Sequence, residues 1–230
     1  MARTLVTGAN RGIGLALVET FAERGDHVVA TARDASTVDA LAALVSRFPD
    51  LVEVHALEVT DPTSIAALVA RLDGRPLDVL VNNAGIIGPA RQSSLDMDWV
   101  GWLDAFRINA MAPLAVAQAF LPALRKGDHA RIMSISTAMS SMSSRASDRV
   151  AYRSSKAALN KVMQCLAADL RDDDIAVGVC HPGWVKTDMG GATADITPQM
   201  SAAGIVRLID RMGIGRPFTL EVWDGGTVPW

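Results

Sequence analysis

A glycine turn close to the N-terminus restricts the fold of this chain more than any other stretch of it. Residues Arg3 to Thr7 (RTLVT) read as a short strand, TGANRGIG follows at once, and an apolar-periodic helix then runs to Arg24. Gly8, Gly12 and Gly14 give the turn the form G-x-x-x-G-x-G, with Asn10, Arg11 and Ile13 between them. Glycine suits backbone dihedrals closed to other residues and lets a ligand come close to the main chain. A strand feeding through such a turn into a helix N-terminus aims unpaired N–H groups and the positive end of the helix dipole at one point, which is a cradle for a pyrophosphate. The same residues could make a plain strand-to-helix turn. Its position directly after an opening strand favours dinucleotide binding.

The rest of the chain alternates in the same manner. HVVATAR, VEVHALEV, LDVLVNNAG, residues 130–136 (ARIMSIS), IAVGVCH and PFTLEVW read as strands. Between them lie helical stretches from Val38 to Phe48, from Thr60-Asp61-Pro62 to Leu72, from Met97 to Arg125 with an interruption near Asn109 and Pro113, around Tyr152, and from Met200 to Met212. The fourth strand is apolar without interruption, as expected in the middle of a parallel sheet covered on both faces. This order predicts an α/β fold: a single-domain doubly wound parallel sheet over residues 1–230, about seven strands, with helices on both faces. Half of the 230 residues are hydrophobic, enough for one well-cored domain.

Charge and composition narrow the partners. The net charge of −3 is unclustered, which argues against nucleic acid and anionic membranes. An opening that runs straight into a strand, with no apolar stretch of spanning length, predicts a cytoplasmic protein. Cys165 and Cys180 lie in apolar segments and read as reduced, buried thiols. Dinucleotide folds carry an acid at the end of the second strand for the ribose 2′-hydroxyl. Here Ala32 and Arg33 stand there and Arg11 lies within the glycine loop, so two guanidiniums suit a 2′-phosphate. NADP(H) is expected ahead of NAD(H), with NAD(H) the alternative; Asp34 can serve as a helix cap.

The chemistry centres on the only tyrosine, Tyr152, with Lys156 four residues later in a helical run. That spacing puts both on one face. A free phenol titrates near pH ~10, and a cation about 4 Å away is worth roughly 4 kcal/mol, or about three pKa units. Lys156 is therefore expected to bring the phenol into a range where it exchanges protons. Asn109 is an amide inside an apolar run, so it either bonds backbone or organises a polar site. Ser136, Thr137, Ser140 and Ser141 follow the fifth strand, at the sheet edge where ligands bind. Of the paired Asn82 and Asn83, the second could serve only to tie loop backbone. The segment 188–200 has the glycine-rich, polar character of a substrate lid. Met139, Met142, Trp184 and Met189 are placed to line an apolar substrate pocket.

TGANRGIG, NNAG, Asn109, YRSSK and HPGWVKT, in that order, resemble the short-chain dehydrogenase/reductase family over the whole chain. AYRSSKAALN and the ending DGGTVPW resemble its branch of C-factor and sniffer-like carbonyl reductases. The resemblance implies a small-molecule carbonyl or alcohol substrate, no metal, and a homo-oligomer (dimer or tetramer) paired through helices 99–125 and 152–171, or else a monomer. It places Gly8, Gly12 and Gly14 under the pyrophosphate and Asn82 in the central strands. Glu58 and Val59 fall by the adenine, and Ala84 and Gly85 by the adenosine ribose. Asn109 holds a water near the lysine, Tyr152 is the general acid/base, and Lys156 holds the nicotinamide ribose. Pro182, Gly183, Val185 and Thr187 hold the carboxamide. Glu58 replaces the family's aspartate. Thr137 takes the slot of its catalytic serine, with Ser136 and Ser140 as alternatives. A cofactor-bound signalling or sensor protein with incidental catalysis is the rival reading.

Overall fold

The computed structural model describes residues 1–34 and 39–230. Among these, eight strands form one sheet in the order β3-β2-β1-β4-β5-β6-β7-β8, parallel except for the final pair. The strands are β1 Arg3–Val6, β2 His27–Ala32, β3 Val52–Ala56, β4 Val79–Asn82, β5 Arg131–Ile135, β6 Ala176–His181, β7 Leu220–Val222 and β8 Thr227–Val228. The helices are α1 Gly12–Glu23, α2 Asp39–Arg47, α3 Pro62–Leu72, α4 Trp99–Phe106, α5 Ala112–Leu124, α6 Val150–Asp169 and α7 Pro198–Asp210.

Strand alternation divides the core between the two faces. Leu5, Val29, Leu80, Ile132 and Val179 point to the side of α3, α5 and α6, where Phe120, Leu159 and Met163 close over them. Their neighbours Val6, Val28, Val81, Met133 and Cys180 point to the side of α1 and α7, against Phe21 and Ile205. A single-residue slip would exchange the two sets, so the register is firmly specified. Order reverses between β1 and β4, and at such a switch point two neighbouring loops diverge and open a crevice.

Several boundaries differ from those the sequence suggests. An eighth strand exists because the turn through Asp224, Gly225 and Gly226 folds the chain back, with Val222 N–H bonded to the Gly226 carbonyl. β3 stops at Ala56 and leaves Glu58 outside it. Glu58 N–H donates to Ser64 Oγ at 2.9 Å, and its carboxylate accepts from Thr60 N–H at 3.0 Å, so the chain is already turning. Val38, expected to open the second helix, lies outside the described residues. Pro198 to Met200 belong to α7, which Thr197 caps, so the lid-like stretch ends earlier than expected. Both cysteines are free, but only Cys180 is buried; Cys165 lies on the outward side of α6. Among the described residues, no helix is long and apolar enough to cross a membrane.

The long segment after β4 shows how sequence shapes the site. Pro113 has no N–H to give the Asn109 carbonyl four residues back, so a regular α-helix cannot continue there. Residues Arg107–Met111 widen into a π turn, with Ala112 N–H bonded to the Arg107 carbonyl. Such turns concentrate at functional sites.

Candidate active site

Parallel strands deliver the loops after β1, β4, β5 and β6 to one edge of the sheet. After β1, Gly8 has φ +63° and Gly12 φ +55°, values that side chains with a Cβ rarely adopt. A Cβ on Gly8 would lie 2.9 Å from Ala84 Cα, and one on Gly14 2.3 Å from the Gly8 carbonyl oxygen. The helix that follows starts without a side-chain cap and without an acidic residue in its first turn. Its N–H groups and dipole are thus offered to an anion, and the residues fit a dinucleotide pyrophosphate.

The loop after β4 is sewn to this turn. Thr7 Oγ1 accepts from Asn83 N–H and Ala84 N–H, each at 3.0 Å. The Asn83 amide donates to the carbonyls of Thr7 and Gly8, both at 2.9 Å, so Asn83 ties backbone. Asn82 is buried and reaches Pro113 O and Ser134 Oγ at 3.3 Å, joining β4 to β5 and α5. Val59 is buried nearby, and Arg33 stands exposed at the end of β2. Arg11 forms an ion pair with Asp188 of the loop after β6, whose neighbour Thr187 lies over Gly12. Gly183, at φ +87°, packs on Trp223 and Ile196, and Pro182 O accepts from Ser201 at 2.7 Å. Val185 bridges to Ile196, so residues 185–196 form a closed, folded loop.

Tyr152, Lys156, Asn109 and Thr137 converge on this edge, and all are buried. Asn109 Oδ1 accepts from Ile86 N–H and its amide donates to Ile86 O, each at 2.9 Å, with a further bond to Ser155 Oγ at 3.0 Å. Gly85 sits between Asn109 and Lys156, where a Cβ would lie 3.1 Å from Asn109 Oδ1 and 3.4 Å from Lys156 Nζ. Lys156 donates to Ile135 O at 2.6 Å, and burial lowers its pKa to about 8.

The phenol departs from the sequence-based expectation. Burial raises the Tyr152 pKa above that of a free phenol; the opposing influences are the hydrogen-bonded Thr137 hydroxyl and Arg149. Lys156 is directed at Ile135 O instead, so proximity along the helix does not by itself make it the group that tunes the phenol. Of the hydroxyl candidates, Thr137 is the one that acts on the Tyr152 phenol, lowering its pKa against the effect of burial. Ser136 donates to Asn160 Oδ1 at 2.5 Å and Ser140 to Thr137 O at 2.6 Å, so both hydroxyls point elsewhere.

Comparison with known proteins identifies the family. Residues 2–196 match the short chain dehydrogenase family. The chain belongs to that family. C-signal of Myxococcus xanthus is 38% identical over 156 residues, covering 67% of this chain and 93% of that protein. The NADPH-bound carbonyl reductase from chicken fatty liver superposes with a TM-score of 0.93 at 34% identity, over 100% of this chain and 99% of its own. Carbonyl reductase Sniffer of D. melanogaster gives 0.92 at 30% identity, with 100% of both chains covered.

In this short chain dehydrogenase the proposed substrate residues are unevenly placed. Met139 is half-buried beside Thr137, while Trp184 and Met189 are about half exposed on the loop after β6. Trp184 Nε1 donates to Gly190 O at 2.8 Å and pins that loop to itself. Met142 is 84% exposed and faces solvent. Two polar residues that sequence reasoning missed hold the site together. Gln92 Oε1 accepts from Tyr152 N–H at 3.1 Å and Gln92 O from Val150 N–H at 2.9 Å, capping α6 from sixty residues away. Arg153 donates to Asp148 O at 2.6 Å and Met139 O at 3.2 Å, holding the loop after β5 against α6. A lone glutamine in a loop carries no periodic signal. Arg153 lay inside the quoted YRSSK, but its reach is invisible without the fold.

Proposed function

We propose that this short chain dehydrogenase is an NADP(H)-dependent oxidoreductase of the carbonyl reductase type, with Tyr152 as general acid/base. The observation that carries this reading is the burial of Tyr152, Thr137, Lys156 and Asn109 together at the same sheet edge as the glycine cradle. A bound dinucleotide supplies hydride to a carbonyl carbon, or accepts it from an alcohol. Gly8, Gly12 and Gly14 hold the pyrophosphate against the α1 N-terminus, with Asn10 and Ile13 completing the turn. Arg33, and Arg11 once it leaves Asp188, would hold the 2′-phosphate. Glu58, Val59, Ala84 and Gly85 border the adenosine, and Pro182, Gly183, Val185 and Thr187 the carboxamide end. The NADPH held by the chicken carbonyl reductase supports this cofactor choice.

In the reducing direction Tyr152 gives its proton to the substrate oxygen as that oxygen gains charge, and the Thr137 hydroxyl donates to the same oxygen. Burial keeps the phenol protonated until then, which suits it to act as an acid. Lys156, poised to lose a proton near neutrality, together with Asn109, returns the proton. Met139, Trp184 and Met189 offer an apolar wall to an aldehyde or ketone, and residues 188–197 serve as the lid. Trp99, Val100, Leu103 and Met111 form an exposed apolar stripe, the face through which a homo-oligomer would pair in the cytosol.

The likeness to C-signal supports a second reading, a cofactor-bound signalling protein with incidental catalysis. One pair of measurements separates them. NADPH and NADH are titrated by nicotinamide fluorescence, and NADPH oxidation is then followed over a panel of aldehydes and ketones. The proposal expects tighter NADPH binding and turnover of apolar carbonyls. Tight NADPH binding without turnover of any of them would favour the signalling reading.

A further inference from the structure

Three residues on α6 share one face: Tyr152, Lys156 and, one more turn along, Asn160. The first two belong to the site already described; the third touches neither substrate nor cofactor positions. Asn160 is 4% exposed and both ends of its amide are engaged. Ser136 Oγ–H donates to Asn160 Oδ1 at 2.5 Å, and Asn160 Nδ2 donates to Ser140 Oγ at 2.8 Å. Ser140 Oγ–H then donates to the main-chain carbonyl of Thr137 at 2.6 Å. The direction of every bond is settled, because an amide NH₂ can only donate and a carbonyl can only accept. The relay therefore runs one way and ends on the backbone of Thr137.

What it holds is a tight turn, Ala138–Ser140, which Thr137 opens in extended conformation. Thr137 Oγ1 accepts from Met139 N–H at 3.2 Å. With an acceptor position of that oxygen taken up by the turn, its proton is left to point away from Met139 N–H, and the hydroxyl is one of the groups that act on the Tyr152 phenol. Ser136 at 1%, Ser140 at 5% and Thr137 at 6% exposure are shut away from water, so no solvent molecule replaces a broken link at no cost.

We propose that Asn160 is a positioning residue for the reaction: through Ser140 it sets the turn that aims the Thr137 hydroxyl at Tyr152 and at the substrate oxygen. This rests on the oxidoreductase reading for its kinetic consequences, but its geometric content can be tested without turnover. The chain has one tyrosine, so the ultraviolet absorbance of phenolate reports Tyr152 alone. The charged groups near that phenol are Arg149, just before α6, and Lys156; neither is altered by the variants used.

The experiment compares Asn160→Ala, Ser140→Ala, Thr137→Ala and the double variant Thr137→Ala/Asn160→Ala with the wild type. Asn160→Ala and Ser140→Ala are each expected to lower kcat on a reduced carbonyl roughly tenfold while the NADPH dissociation constant stays within about twofold. Both should move the phenol titration upward, since the Thr137 hydroxyl no longer favours phenolate. In the double variant, loss of Asn160 should add nothing to loss of Thr137, the signature of residues acting as one unit. Multiplying effects, or a phenol titration unmoved in Asn160→Ala, would overturn the relay. If Asn160→Ala does not fold, Ser140→Ala breaks the same relay with a smaller loss of volume and decides the matter by the same titration. A wild type that reduces no carbonyl would refute the oxidoreductase reading, while the titration would still accept or reject the relay.

Discussion

The loops after β1 and β4 and the loop after β5 stand at the same sheet edge, yet they are built on opposite principles. The first pair is held by short bonds from the Thr7 and Asn83 side chains to main chain, around glycines that leave no room for a side chain. A Cβ on Gly14 would come within 2.3 Å of the Gly8 carbonyl and 2.5 Å of Asn83 Nδ2, so no side chain fits there. The loop after β5 is held by side chains that cross it: Ser136, Ser140, Asn160 and Arg153. A half shaped by glycines tolerates little substitution, whereas a half held by side chains that cross it can be recut by substitution.

The largest test of this contrast is Tyr152→Phe, which removes the proposed proton donor and leaves the cradle intact. Turnover should fall by about 10³-fold with NADPH binding retained; unchanged turnover would mean the chemistry is elsewhere. Arg153→Ala comes next. Its guanidinium ties Met139 O and both a backbone and a carboxylate oxygen of Asp148 to α6. Its removal should raise KM for the carbonyl by roughly tenfold while leaving NADPH affinity alone. A matching loss of NADPH affinity would show that the halves are not separable.

Lys156, where the halves meet, is tested through pH. Burial lowers its pKa to about 8, below that of an unfolded lysine, so between the two values the unfolded chain binds more protons and stability rises with pH. The Cys180 thiol, pushed up to about 12 by burial, opposes this only once pH passes the unfolded thiol's own pKa. From about pH 8 to about pH 9 the cofactor-free wild type should gain about 1 kcal/mol that Lys156→Met lacks, read from denaturant midpoints. Parallel pH profiles would place the buried charge elsewhere. The smallest effect concerns the rim. Arg11 and Asp188 are 70% and 76% exposed, so their ion pair is weak. Asp188→Asn should free Arg11 and tighten NADPH by about threefold with NADH unchanged. Equal effects on both nucleotides would separate Arg11 from the 2′-phosphate.

Some of the site could be read along the chain because short-range rules govern it. Glycine spacing encodes a turn, Asp61-Pro62 starts α3 with the aspartate accepting from Thr63 N–H, and Pro113 disrupts the helix four residues after Asn109. Thr137 was the leading choice for the catalytic hydroxyl, and of the candidates it alone acts on the phenol, Ser136 and Ser140 being bonded elsewhere. Short-range rules fail where direction matters. Helical spacing brought Lys156 to the face of Tyr152 but could not show that its ammonium turns to Ile135 O. An apolar segment put Cys165 in the core, though it lies on the outer face of its helix.

By itself the sequence determined the alternation of strands and helices, the turn that cradles a dinucleotide and the residues able to exchange a proton. Each follows from local dihedral limits, periodicity or intrinsic acidity. Only the tertiary structure decided which carbonyl holds the lysine, and that Gln92 caps the helix of Tyr152, Arg153 reaches Met139 O and Asn160 bonds Ser136 and Ser140. Those contacts join residues far apart in the chain, and their energy depends on burial and bond direction, which exist only once the sheet and its helices have closed around them.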